Sequence, residues 1–180
     1  EEPGKFLLMP NEEVTGGYEK FHVHLNAINL ADTILLLPGD SVLETLRLNL
    51  TAIERQAAQE KRPIVAMVNH PNWSDYDISP EQLAQATDAR VFEVCNSGPG
   101  SRFLGDRNHP GMERYWDIVN TVRIARLKSP PVYGAATDDA HNYQEFGPSH
   151  ANPGRGWVMV RADRLDSDAL AKAMLRGDFY

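Results

Sequence analysis

The chain has 180 residues, of which 42% are hydrophobic, enough for one domain (residues 1–180) with a sizeable core. A formal charge of −7 argues against binding to a nucleic-acid backbone, because no basic patch exists to neutralise phosphates. It does not exclude a nucleotide-sized substrate held through metal ions. No apolar run approaches the ~20 residues of a membrane span, no signal peptide is visible, and the compartment stays open.

In chain order, the pattern alternates between strand and helix without internal repeats. Lys5–Met9 leads into Glu12-Glu13-Val14-Thr15. Residues 21–30 alternate, with His22, His24 and Asn26 on one face and Val23, Leu25 and Ala27 on the other. Ser41 and Glu44 spell a capping box before a helix whose apolar positions are Val42, Leu46, Leu50, Ile53 and Ala57. Ile64–Val68 is an uninterrupted apolar run that ends in Asn69-His70-Pro71-Asn72-Trp73. Ser79-Pro80 opens a short helix with proline at its first position. Arg90–Cys95 reads as a strand. Its Cys95 is the only cysteine, which excludes an internal disulfide and suits a small buried hydrophobe. Met112, Tyr115, Trp116, Val119 and Val122 recur at helical spacing, a packing stripe rather than a cofactor site. Trp157–Arg161 reads as another strand. Asp166 or Ser167 caps the last helix, which ends near Gly177.

The chemistry concentrates at strand ends. Val132–Thr137 is a small-residue strand that runs straight into Asp138-Asp139-Ala140-His141. Residues two apart project to the same side if the extended backbone persists. A carboxylate oxygen and an imidazole nitrogen so placed suit a divalent transition metal. Aspartates that cap a polar turn would read the same way. A lone histidine on a strand is more often packed than ligating. Several strand ends that each deliver histidine or carboxylate point instead to a site built by convergence.

Glu12-Glu13-Val14-Thr15, His24–Leu30, Asn69–Trp73 and Asp139-Ala140-His141 resemble, in order, successive motifs of the polymerase and histidinol phosphatase (PHP) family. Phe92–Asn96 and Arg176–Tyr180 resemble segments of its stand-alone phosphoesterase-like members. The resemblance implies a distorted barrel of seven β/α units with up to three metals at the strand C-termini. It also implies that Glu13 bridges two metals, that His24 and His70 complete the second metal's ligands, that Asp139 joins the first metal, and that His141 joins the third. Glu93 is expected only as a supporting or substrate contact. The family's opening His-x-His and its Asp-His pair are not found upstream of Glu13. His22-Val23-His24 has the first spelling but sits after the Glu-Val-Thr motif. A partial barrel is therefore expected, from a fragment or a degenerate member, with open edges available for self-association.

Two long stretches read as functional loops. Residues 96–110 carry Arg102, Arg107 and His109. Residues 142–156 carry His150 and Arg155. Arg102, Arg107 or Arg155 could grip a phosphate, although most arginines are simply solvated. Asn49-Leu50-Thr51, Asn72-Trp73-Ser74 and Arg176-Gly177-Asp178 spell glycosylation and adhesion signals. The first lies within a helix, the second abuts the proposed site, and Gly177 is explained by a helix end, so none receives weight.

The expected function is a metal-dependent hydrolase of phosphoester type, using zinc, manganese or iron to activate water on a small-molecule substrate. His141 or His109 would protonate the leaving group. Hydrolysis of a carboxylic or carbamate ester at the same site is the alternative within the enzyme class. A non-catalytic metal-binding remnant that needs a partner or a lost segment is the rival outside it.

Overall fold

The computed structural model describes residues 1–73 and 76–180, so Ser74 of the Asn72-Trp73-Ser74 spelling lies outside the described residues. Strands β1 (Asn11–Tyr18) and β2 (Phe21–Ile28) form an antiparallel hairpin with Tyr18 opposite Phe21. Only Glu19 and Lys20 remain for the turn, and Glu19 takes a left-handed φ of 52°. Helix α1 (Val42–Glu60) then leads to β3 (Val65–Val68), which pairs antiparallel with β2. From there the sheet is parallel: β3, β4 (Val91–Asn96) and β5 (Tyr133–Thr137) are joined through α2 (Pro80–Gln85) and α3 (Met112–Thr121). Helix α4 (Ser167–Arg176) closes the chain.

The strand order is β1-β2-β3-β4-β5 in one open, mixed sheet, and this overturns the expected (β/α)7 barrel. A β/α barrel needs a helix between successive strands and parallel pairing throughout. A two-residue turn between β1 and β2 has no room for a helix, and strands so joined can only be antiparallel. With β1 and β5 at opposite ends of the order, the sheet does not close on itself.

Local chemistry explains most element ends. Ser41 Oγ accepts from Glu44 N at the start of α1, but the Glu44 carboxylate reaches Asp40 N rather than Ser41 N, so the expected box is half formed. Ser79 and Gln82 make the full reciprocal box on α2. Asp166 caps α4, and Gly177 ends it at φ 79°. Helix α3 runs on as a π-helical segment, Val122–Leu127, that carries the fully buried Arg123. The Arg123 guanidinium donates to Ala89 O, Leu83 O and Ala86 O at 2.6–2.9 Å, so it gathers carbonyls at the end of α2. Burial pushes its pKa down to about 10.

Each sheet face has its own cover. Val14, Val23, Leu25, Ala27, Ala66, Val68 and Phe92 pack beneath Leu46, Leu50 and Ile53 of α1, Leu83 of α2, and Met112, Tyr115 and Val119 of α3. On the opposite face, Val65, Met67, Val91 and Ala135 meet Ala171 and Met174 of α4. Trp157–Arg161 does not form the expected strand. Val160 makes a single bridge to Phe179, and Met159 exchanges backbone hydrogen bonds with Tyr180. Cys95 is half-buried rather than buried. Asn49 and Asn72 are both buried, which agrees with the null weight given to their glycosylation spellings. Among the described residues, no helix is long and apolar enough to cross a membrane.

Candidate metal centre

The alternation that sends valine, leucine and alanine of β2 under the helices sends His22, His24 and Asn26 to the other face, beside Glu13 of β1. On β3, Met67 shares that face, and the backbone beyond Val68 delivers Asn69 and His70. Side chains from β1, β2 and the segment just beyond β3 therefore meet on one face of the sheet. Donor atoms of Glu13, His24 and His70 all lie within 4.8 Å of one another. Glu13 Oε1 stands 3.3 Å from His24 Nδ1 and 3.6 Å from His70 Nε2. Donors held about 2.1 Å from a tetrahedral zinc are separated by about 3.4 Å, so these two edges fit a shared ion. Carboxylate plus two imidazoles is also the donor set of an open catalytic zinc site.

The cluster is braced from behind. Asn69 Nδ2 donates to Glu13 Oε1 at 2.8 Å. Glu93, buried on β4, accepts from His70 N at 2.7 Å and from Asn96 Nδ2 at 2.8 Å. Asn96 Nδ2 also reaches Asp139 Oδ2 at 3.4 Å, so β4 and β5 are tied to the same network. Glu93 thus sits behind the histidine that carries the donor, on the backbone side of His70. Two of the residues concerned hold left-handed backbone: φ is 21° at His70 and 48° at Asp139. Such conformations are costly for non-glycine residues and collect at functional sites.

Electrostatics follow from this packing. Hydrogen bonding to His24, then to His70, holds the Glu13 carboxyl far below the usual carboxylate range, against the opposing effect of burial. Burial works to lower the His70 pKa, but the Glu13 contact and the charges of Glu93 and Asp139 outweigh it, and the net shift is upward. Burial raises the Glu93 pKa, with the hydrogen bond from Asn96 opposing. A carboxylate ready to ionise beside the His70 imidazole, which attracts a proton, is also a site that a divalent cation can occupy in place of that proton.

All five expected ligands, Glu13, His24, His70, Asp139 and His141, line one cavity of about 380 Å³. Asp139 and His141 nevertheless stand outside the three-donor cluster. Their expected same-side projection gives way to a local turn: Asp139 is left-handed, and His141 Nδ1 donates to Asp139 O at 2.7 Å. His109 and Arg102 do not join this cavity. They line a different one of about 560 Å³, where His109 stacks on Tyr76 with centroids 4.1 Å apart and Asp106 Oδ1 lies 2.8 Å from His109 Nδ1. Arg107 is exposed. Arg155 donates to Gly147 O and Asn152 Oδ1, so it pins its own loop. The expected arginine grip on phosphate is therefore not assembled.

Sequence reasoning missed the partner of His22. Its Nδ1 lies 2.9 Å from Oδ2 of the buried Asp77, and its ring borders the metal-side cavity. The β2 alternation had already placed His22 on the right face, but nothing local announces Asp77, which arrives from the loop before α2. Trp73 was also missed as a wall; its ring lies 5.0 Å from that of His70.

No family model matches the sequence, and no curated protein matches it either. The PHP resemblance rests on the motifs themselves.

Proposed function

We propose that the protein is a metal-dependent hydrolase in which Glu13, His24 and His70 hold one divalent ion, zinc, manganese or iron. The observation that carries this reading is the convergence of one carboxylate and two imidazole donors within 4.8 Å, at the wall of a cavity open to solvent. A bound divalent ion supplies a water of lowered pKa and an electrophile for the substrate oxygen. The chain supplies the rest. Asn69 fixes the Glu13 carboxylate, and Glu93 fixes the backbone at His70. His141 donates Nδ1–H to a carbonyl, so Nε2 of this exposed ring is the nitrogen that takes up a proton and, once it carries one, can pass it to a leaving group.

The PHP resemblance implies a phosphoester substrate. One observation favours the carboxylic or carbamate ester alternative instead: neither lysine nor arginine is among the residues that line the cavity. A phosphoryl group there would have no side-chain cation to balance it beyond the histidines, whereas a neutral carbonyl needs none.

The test is a panel of 4-nitrophenyl phosphate, acetate and carbamate esters with the zinc- or manganese-loaded protein. Turnover should vanish on chelation and in His70→Ala. Stoichiometric metal with no turnover of any ester would replace this reading with the non-catalytic metal-binding one.

A further inference from the structure

His22 and Asp77 stand 55 positions apart in the chain, yet His22 Nδ1 lies 2.9 Å from Asp77 Oδ2. The Asp77 side chain is 2% exposed, whereas that of His22 is 48% exposed and borders the cavity of about 380 Å³. The ring is therefore tethered at its buried edge and open at the other. A carboxylate can only accept, so Nδ1 carries the hydrogen, and Nε2 of the neutral ring is an acceptor. Among the described residues, that Nε2 has no hydrogen-bond partner. His22 also stands outside the three-donor cluster, although its ring is 5.5 Å from that of His24. An acceptor beside the metal centre that does not hold the metal is placed to read the substrate.

Other acceptors of the cavity are already engaged. Glu13 belongs to the metal cluster, Asp139 Oδ2 accepts from Asn96, and Asn142 Oδ1 accepts from Ala151 N. His141 is assigned to the leaving group. A fixed acceptor recognises a hydrogen on the substrate, and a site built for one rejects analogues that lack it. A carboxylic ester has no such hydrogen beside its carbonyl oxygen atoms. A carbamate of a primary amine carries one N–H there.

We propose that His22, oriented by Asp77, is a specificity-determining residue that accepts a hydrogen bond from an N–H next to the scissile carbonyl. The substrate class is then the N–H-bearing acyl compounds, carbamates first, rather than simple esters. The word substrate rests on the hydrolase reading; recognition of the N–H does not.

The experiment compares N-methylbenzamide with N,N-dimethylbenzamide, neutral amides of which only the first has an N–H, as ligands of the zinc-loaded protein by calorimetry and NMR titration. The N–H amide should bind about threefold to tenfold more tightly, the range of a single hydrogen bond. His22→Ala, at a half-exposed side chain, should abolish that preference with metal content unchanged. Asp77→Asn can turn its amide N–H toward His22 Nδ1, which moves the ring hydrogen to Nε2. The preference should then vanish although His22 is intact, a result that a merely structural Asp77 would not give. His22→Ala decides the point if Asp77→Asn does not fold. No preference in the native protein, or a preference that survives either substitution, overturns the proposal. The preference without turnover of any ester or carbamate removes the hydrolase reading and leaves the recognition site standing; turnover without the preference does the reverse.

Discussion

The two faces of the sheet are built from the same strands and do different things. Beneath α1, α2 and α3, the face carrying Val14, Leu25, Val68 and Phe92 is apolar and closed. The opposite face carries Glu13, His24, Asn26, Asn69 and Glu93, and its apolar cover by α4 reaches only part of it. Alternation along each strand makes this division possible, because every second residue is free of the demands of the core. The larger apolar cluster lies on one side. The other side tolerates left-handed backbone at His70 and Asp139 and a buried carboxylate at Glu93, costs that the closed face can offset.

The largest effect should come from the closed face. Phe92 is fully buried against Tyr115 and Trp116, so Phe92→Ala should cost about 3–5 kcal/mol in urea unfolding. A loss below 1 kcal/mol would mean that the two faces do not divide the work as described.

Metal binding comes next. The protein should retain about one ion per chain after dialysis, since three ligands suffice for one open site. Zinc at a hundredfold excess over Kd should add about 2.7 kcal/mol to unfolding, and His70→Ala should abolish that gain. Elemental analysis and thermal melts in zinc and in chelator measure both; equal melts in the two conditions would remove the metal centre. Proton competition gives the sign with pH. Because the His70 pKa is raised above its ordinary 6.5, protons hold the site more strongly than they hold a free imidazole. Zinc affinity should fall as pH drops through that raised value and recover above it.

A smaller effect tests the open face itself. The Glu93 pKa is raised above 4.5, so the folded state binds its proton more tightly than the unfolded state does. Ionised Glu93 therefore costs stability above the raised pKa, and the cost disappears as pH falls toward 4.5. Glu93→Gln should stabilise the metal-free protein by about 1 kcal/mol at pH 7, with the advantage shrinking on acidification. An advantage that grows on acidification would reverse the assignment.

The smallest effect belongs to the loop histidine. His109→Ala should leave metal content unchanged and lower stability by about 0.5 kcal/mol, the worth of a stacked, exposed contact. Loss of metal in that variant would join the two cavities that the structure separates.

Sequence by itself determined what depends on neighbours along the chain. The β2 alternation, the Ser79-Pro80 helix start, the Asp166 cap, the Gly177 helix end and the α3 packing stripe all follow from local spacing, and the structure has them, whereas the capping box spelled at Ser41 is only half formed. The resemblance to PHP motifs placed Glu13, His24 and His70 among the candidates, and the β2 alternation put His24 on the face away from the aliphatic residues. Tertiary structure decided the rest. The β1–β2 turn lacks the glycine or asparagine that announces a tight hairpin, so the antiparallel start of the sheet was not legible, and with it the open architecture. Asp77 reached His22 across 55 positions, while His109 and Arg102 turned to a different cavity. Such pairings depend on where loops come to rest against the packed sheet, and no periodicity in the chain encodes that distance.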